Sequence, residues 1–362
     1  MPSVRPAPSS VTAATSRSYR ISGLLLRAPA AASWSGLPGP ERAPRVSVLL
    51  TAYNRAPYIA SSIESVLAQT LGDFELIITD DRSSDGTVDI AESYARRDSR
   101  IRVFRNERNL GDYANRNHAA SLATGEFLKF HDSDDLLYPP CLEIMVSLLS
   151  AAPGAGFALS SSIAWPGGPA PMLSPPRLSF QREFLGFGMF NAGPAGALFR
   201  SDVFRALGGF EDHGAASDSI FWLRACARHS VLLLPGDLFW YRVHAGQSLQ
   251  SDAAARAYAV VPRHQWRELA SAECPLTTSE RAQARRNVAF STAKQIWRAV
   301  LRGNWAAAAM RLQNSGITPL EWLKYLRPPK RSALAGTPLD PSGEYVVPDW
   351  CRLPPTDQPR RP

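Results

Sequence analysis

From residue 45 onward, short apolar runs alternate with stretches whose apolar residues recur at helical intervals. Val46, Val48, Leu49 and Leu50 make a run short enough for a strand and apolar enough to be buried on both faces. Ile59, Ile63, Val66 and Leu67 then recur with helical spacing beyond a polar loop. The same reading predicts strands at 75–79, 101–104 and 126–130, and helices at 88–96 and 114–123. Strand–helix alternation repeated three times predicts an α/β fold around a mostly parallel, Rossmann-like sheet with helices on both faces. The second half is mixed. Strands are expected at 157–162 and 238–243, a helix at 218–228, Gly/Pro-rich loops at 167–176 and 191–196, and helical structure from 253 to about 326. Residues 1–44 and 331–362 are rich in Pro, Ser and Ala and predict a disordered N-terminal segment and a Pro-rich tail.

Charge divides the chain more sharply than composition does. Residues 45–252 carry 18 Lys/Arg against 23 Asp/Glu, a net of −5, whereas residues 253–331 carry 14 against 4, a net of +10. Trp266, Trp297, Trp305, Trp322 and Tyr325 lie in that basic region. A basic amphipathic region with Trp suits peripheral contact with an anionic membrane, or else a helical appendage packed on an acidic domain. Ile296, Val300 and Leu301 are expected to share a face there, with Lys294, Arg298 and Arg302 elsewhere on the turn. No nucleic-acid module accompanies the charge, so no nucleic-acid partner is expected. The four cysteines, Cys141, Cys226, Cys274 and Cys351, are scattered without a CxxC pair, so neither a zinc site nor a disulfide framework is suggested, and a reducing, cytoplasmic setting is expected. No apolar run reaches the length of a spanning helix.

Polar groups cluster where predicted strands end, which is where ligands sit in parallel sheets. Thr51, Tyr53 and Asn54 follow the first strand, Asp80 and Asp81 the second, and Asp132-Ser-Asp134-Asp135 the fourth. Three carboxylates in four residues repel one another unless a cation compensates, and hard oxygen ligands suit Mg²⁺ or Mn²⁺. A solvated acidic turn is the bland alternative, and Asp80-Asp81 can equally cap a helix. Asp81 can accept from a base imide or a ribose hydroxyl, and Tyr53 can stack on a base. No phosphate loop, GxGxxG, HExxH or GxSxG occurs, so kinase, dehydrogenase, zinc-protease and serine-hydrolase readings lose support.

Five stretches in order, 46–54, 59–70, 77–87, 109–117 and 125–135, resemble the family 2 glycosyltransferases. The resemblance extends more weakly to about residue 248 through Gly193-Pro-Ala-Gly196, Leu207-Gly-Gly-Phe-Glu-Asp212 and Trp240-Tyr-Arg-Val-His244. It implies a single GT-A nucleotide-sugar domain over 45–252, followed by a basic helical extension over 253–330. It also implies an inverting, metal-dependent transfer from a nucleoside-diphosphate sugar, a UDP-sugar favoured. The acceptor would be a saccharide or lipid-linked acceptor in surface glycan synthesis, with the protein cytoplasmic or peripheral on the inner face of the plasma membrane. Carried over by position, Thr51, Tyr53, Asn54, Asp81, Arg116, Asp132 and Arg242 would bind the nucleotide sugar. Asp134 would be the direct metal ligand, with Asp132 and His244 beside it, and Asp218 the catalytic base. Ser217 stands where the family usually has an acidic residue. That substitution keeps open a catalytically silent nucleotide-sugar or glycan-binding module; a nucleotidyltransferase would need a Gly/Arg/Lys-rich loop that 51–57 lacks.

Overall fold

A computed structural model describes residues 18–21, 24–27, 43–160, 170–186, 188–190, 192–236, 238–244 and 252–316. The expected Pro-rich tail, Trp322, Tyr325 and Cys351 lie outside the described residues, as does most of the expected N-terminal segment. The chain divides into two units, Met1–Leu37 and Pro38–Pro362. In the first, β1 (Ser18–Ile21) pairs antiparallel with β2 (Leu24–Arg27).

The second unit begins with β3 (Val46–Ala52), α1 (Ile59–Leu67), β4 (Phe74–Asp80), α2 (Thr87–Ala95), β5 (Ile101–Arg105), α3 (Asp112–Ser121) and β6 (Phe127–Asp132). All seven residues of β3 and all seven of β4 are buried, which is why these strands read as continuous apolar runs rather than alternating ones. Next come β7 (Leu136–Leu137), α4 (Cys141–Ser150), β8 (Ala155–Ser160), β9 (Met172–Ser174), α5 (Pro176–Phe184), β10 (Ala197–Arg200), α6 (Ser201–Ala206), α7 (Ser217–Arg228), β11 (Ser230–Leu234) and β12 (Phe239–Trp240).

Eight strands form the central sheet in the order β5-β4-β3-β6-β10-β8-β11-β9. Its first four strands run parallel. The chain winds outward from β3 to β5, then crosses back to place β6 on the other side of β3. This reversal opens a crevice beyond the carboxyl ends of β3 and β6. The register there sets Thr51 opposite Asp132. Strand β10 enters antiparallel between β6 and β8, a pairing with no local signature in its four residues.

One apolar core runs beneath the sheet. Phe199, Phe157 and Trp222 pack against one another with near-parallel rings, Phe199 at 5.3 Å from Phe157 and 5.7 Å from Trp222, and Phe130, Phe204, Phe210 and Phe221 close around them. The Trp222 indole donates to the Ala192 carbonyl at 2.8 Å, tying this core to the loop before β10. Four more helices follow: α8 (Asp252–Tyr258), α9 (Val261–Ala270), α10 (Thr278–Leu301) and α11 (Trp305–Asn314). Leu269, Cys274, Leu276, Ala284 and Val288 join the same core, so the helical region is built onto the sheet. Thr277 and Glu280 form a reciprocal capping box that starts α10.

Along α10, Ile296 is buried and Val300 half-buried, whereas Leu301 turns outward. Five residues span about 140° beyond a full turn, so Leu301 leaves the face of Ile296 and joins that of Arg298, three residues earlier. The expected common face therefore breaks at Leu301. Among the described residues, no helix is long and apolar enough to cross a membrane. Cys141, Cys226 and Cys274 are buried free thiols.

Candidate active site

A cavity of about 350 Å³ occupies the crevice, walled by Thr51, Tyr53, Arg55, Asp81, Arg116, Asp132, Asp134, Asp218 and Tyr241 among others. Thr51 and Asp132 stand on adjacent strands, and the chain leaves β6 so that Asp134 follows them onto the wall. Tyr53 is 49% exposed at the rim, the freedom a stacking residue needs.

Asp132 Oδ1 accepts from the Arg116 guanidinium at 2.6 Å. Burial opposes ionisation of Asp132, but the charge and hydrogen bond of Arg116 outweigh it and hold this carboxyl below its usual value. Arg116 also pairs with Asp112 at 2.9 Å and leaves Nη1 buried without a partner. Asp134 Oδ2 meets Arg55 Nε and His244 Nε2, each at 2.9 Å. The other oxygens, Asp132 Oδ2 and Asp134 Oδ1, make no hydrogen bond to any described residue. Two open carboxylate oxygens with an imidazole alongside fit a hard divalent cation. No group of three or more His, Cys, Asp or Glu converges among the described residues, so such an ion would complete its shell with diphosphate oxygens and water.

The third carboxylate of the acidic run behaves differently. Asp135 is buried, accepts the Arg242 backbone N–H at 2.9 Å and leaves Oδ2 unpartnered. Burial, reinforced by the neighbouring Asp132, pushes its carboxyl up to about 8, so at neutral pH it is mostly a neutral acid. Beneath it, Lys129 is fully buried and donates to the carbonyls of Phe130 and Ala195. Burial lowers the Lys129 pKa. His131 donates to or accepts from Ser62 at 2.9 Å; burial, then Lys129, drives its imidazole down to about 3 and keeps it neutral.

Asp218 lies in the first turn of α7, 9% exposed and facing the same cavity. Its Oδ1 accepts from the Ser219 backbone N–H, yet burial outweighs this bond and raises the carboxyl to about 6. Ser217, the residue in the place of the usual acid, is buried; its hydroxyl donates to the Gly214 carbonyl and accepts from the His213 N–H. It closes the turn that carries Asp218.

Three expected site residues are placed less directly. Asp81 lines the cavity, but its oxygens already accept from Asn106 Nδ2, Leu110 N and Gly111 N at 2.7–2.9 Å, leaving about one acceptor direction open. Gly111 sits at φ +90°, a conformation that favours glycine, and this lets its N–H reach Asp81. Asn54 is absent from the cavity wall. Its side chain accepts from Ser84 N and its own N–H reaches Ser83, so it joins the loops after β3 and β4. Arg242 stands behind the Asp134 turn, with Nε on the Asp134 carbonyl at 2.7 Å and its guanidinium over Tyr58 and Trp240. Sequence reasoning did not single out Arg55, Asn109, Asp112, Asn115 or Tyr241, all on the wall. Asn109, Asp112 and Asn115 fall in the stretch 109–117 and Tyr241 in Trp240-Tyr-Arg-Val-His244, both of which carry the resemblance, whereas Arg55 was signalled only by the polar loop after β3.

A doubly wound sheet with acidic side chains at its switch point belongs to the class of α/β proteins that hold ligands beyond the carboxyl ends of their strands. Residues 47–208 match the model described as Glycosyl transferase family 2. The chain is similar to EpsE of Bacillus subtilis (strain 168), named as a glycosyltransferase, with 44% identity over 29% of this chain and 38% of that one. It is also similar to the Escherichia coli UDP-Glc:alpha-D-GlcNAc-diphosphoundecaprenol beta-1,3-glucosyltransferase WfgD, with 39% identity over 29% of this chain and 40% of that one. The match thus spans about two fifths of these relatives. The fold is that of S. aureus TarS 1-349 in complex with UDP-GlcNAc, at a TM-score of 0.57 and 21% identity over 75% of this chain and 81% of that one.

Proposed function

We propose that the protein transfers a sugar from a nucleoside-diphosphate donor to a hydroxyl of a saccharide or lipid-linked saccharide, with inversion, in surface glycan synthesis. The convergence of Arg116, Asp132, Asp134 and Asp218 on one cavity at the switch point is the observation that supports this most. The similarity to a glucosyltransferase named for UDP-Glc and a diphosphoundecaprenol acceptor, and to a fold solved with UDP-GlcNAc, favours a UDP-sugar and a diphospholipid-linked acceptor. An acceptor of that kind would place the reaction at the cytoplasmic face of a membrane.

In this reading the base rests near Thr51 and Tyr53, and the diphosphate lies toward Asp132, Asp134 and Arg116. The acceptor oxygen attacks the anomeric carbon as the bond to the diphosphate breaks, and its proton passes to the Asp218 carboxylate. A pKa of about 6 leaves Asp218 ionised at neutral pH while making it more basic than an exposed aspartate. Mg²⁺ or Mn²⁺, held by Asp134 with Asp132 and His244 beside it, would neutralise charge on the leaving diphosphate. Arg55 and Arg242 brace the loop that presents Asp134.

Calorimetric titration with UDP, GDP, TDP and CMP, with and without Mn²⁺, tests the proposal. One nucleotide should bind, and the binding should require metal and vanish in Asp134→Ala. A folded protein that binds none of the four would overturn the reading.

A further inference from the structure

Among the described residues of the helical region, the most exposed apolar side chains gather at one turn. The region's larger apolar side chains are otherwise mostly drawn inward: Leu269 is 1% exposed, Ile296 2% and Val288 6%. At the turn between α10 and α11, by contrast, Leu301 is 81% and Trp305 68% exposed. Lys294, Arg298 and Arg302 are exposed on the same approach, at intervals of four residues that keep them on one side of α10. None of the three cations forms an ion pair among the described residues. From Thr278 to residue 316 the chain carries seven Lys/Arg and one Glu, a net of +6.

We infer that this turn is a contact site for an anionic lipid bilayer. Leu301 and Trp305 enter the interfacial layer, and Lys294, Arg298 and Arg302 face the headgroups. Trp is suited to that layer because its ring is apolar and its N–H keeps a polar partner. Charge complementarity selects an anionic surface, because a cluster of unpaired cations raises the local concentration of acidic lipid. The geometry disfavours a second copy of the chain as occupant. Two side chains offer much less apolar area than the roughly 800 Å² per partner that a stable protein interface buries, whereas an interfacial anchor needs only a small insertion backed by cations. None of these residues belongs to the candidate active site, so this inference stands or falls apart from the transferase reading.

The test is cosedimentation of the full chain with phosphatidylcholine vesicles, with and without phosphatidylglycerol, at low salt. Binding should require phosphatidylglycerol and weaken as salt rises. The double variant Leu301→Ser, Trp305→Ser should lower partitioning about tenfold or more by removing the inserted apolar surface. Each of Lys294→Gln, Arg298→Gln and Arg302→Gln should lower it roughly fivefold. Unchanged thermal melting and unchanged nucleotide binding would show that the variants remain folded. The inference is overturned if anionic vesicles are not bound, or if the double variant binds them as well as the parent. It is equally overturned if the variant abolishes self-association in a chain that never binds vesicles.

Discussion

Replacing Asp218 with Asn separates a catalytic carboxylate from a structural one, because the two roles move activity and stability in different directions. The substitution preserves size and keeps an oxygen to accept from Ser219 N. In the native site burial raises the carboxyl from 3.8 to about 6. At one pKa unit per 1.36 kcal/mol, holding it ionised above pH 6 costs the fold about 3 kcal/mol. A neutral amide avoids most of that cost, so the variant should gain roughly 1–3 kcal/mol at pH 8. The native state binds this proton more tightly than the unfolded chain does. Wild-type stability therefore falls as pH rises from about 4 to about 6, and the advantage of the variant grows over the same window. Activity should move the other way. Loss of a general base lowers kcat by about 10²–10⁴, with nucleotide affinity unchanged within a few-fold. The wild-type kcat/KM should rise with pH to a plateau above about 6, a limb that the variant lacks. Urea unfolding at pH 4, 6 and 8, calorimetry with the donor nucleotide, and a radiolabelled-sugar transfer assay measure the three quantities. Turnover within tenfold of wild type would refute the assignment of the base. A variant destabilised at pH 8 would refute the reasoning from burial.

Other expectations follow from particular contacts. Phe199→Ala removes a ring enclosed by Phe157, Phe204, Phe221 and Trp222 and should cost about 3–5 kcal/mol in denaturant unfolding. Gly125→Ala would bring a Cβ within 2.6 Å of Ser47 N and 2.9 Å of the Val46 carbonyl carbon, where β3 and β6 begin; a loss of about 1–3 kcal/mol should appear as a lowered melting temperature. Thr277→Ala removes the cap of α10 and should cost about 1 kcal/mol, read from the urea midpoint, while leaving nucleotide binding intact.

Strands 46–52, 74–80 and 127–132 were legible because each is a largely apolar run, a signal that both-face burial imposes locally, whereas the edge strand 101–105 is half exposed and was legible from Ile101, Val103 and Phe104. The helices at 59–67, 87–95, 112–121 and 217–228 were legible within two residues or so, because their inward faces repeat at a local period. The expected strand at 238–243 shortens to two residues, since Phe239 and Trp240 find a partner only in Leu137 and Leu136. Its sequence favours extension, and only a neighbour can satisfy its backbone. Strands β9 and β10 and helix α5 left no clear pattern. They are short, and their place is assigned by what they pair with.

The same division holds within the site. The acidic run 132–135 declared a cluster of charge at a strand end, and the chain alone located it. What each carboxylate does was decided in three dimensions. Asp132 is held ionised by Arg116 from α3, Asp135 is neutralised by burial, and Asp81 is largely spent on the loop before α3. Arg242 braces the Asp134 turn from behind, and Asn54 joins two loops. Periodicity and composition act over a few residues, so the sequence by itself determined the elements, the polar strand ends and the contrast between an acidic domain and a basic helical region. Burial, hydrogen-bond partners and field depend on segments that meet only after folding. For that reason the tertiary structure alone decided which oxygens stay open, which acid keeps its proton, and that Leu301 faces solvent beside Arg298.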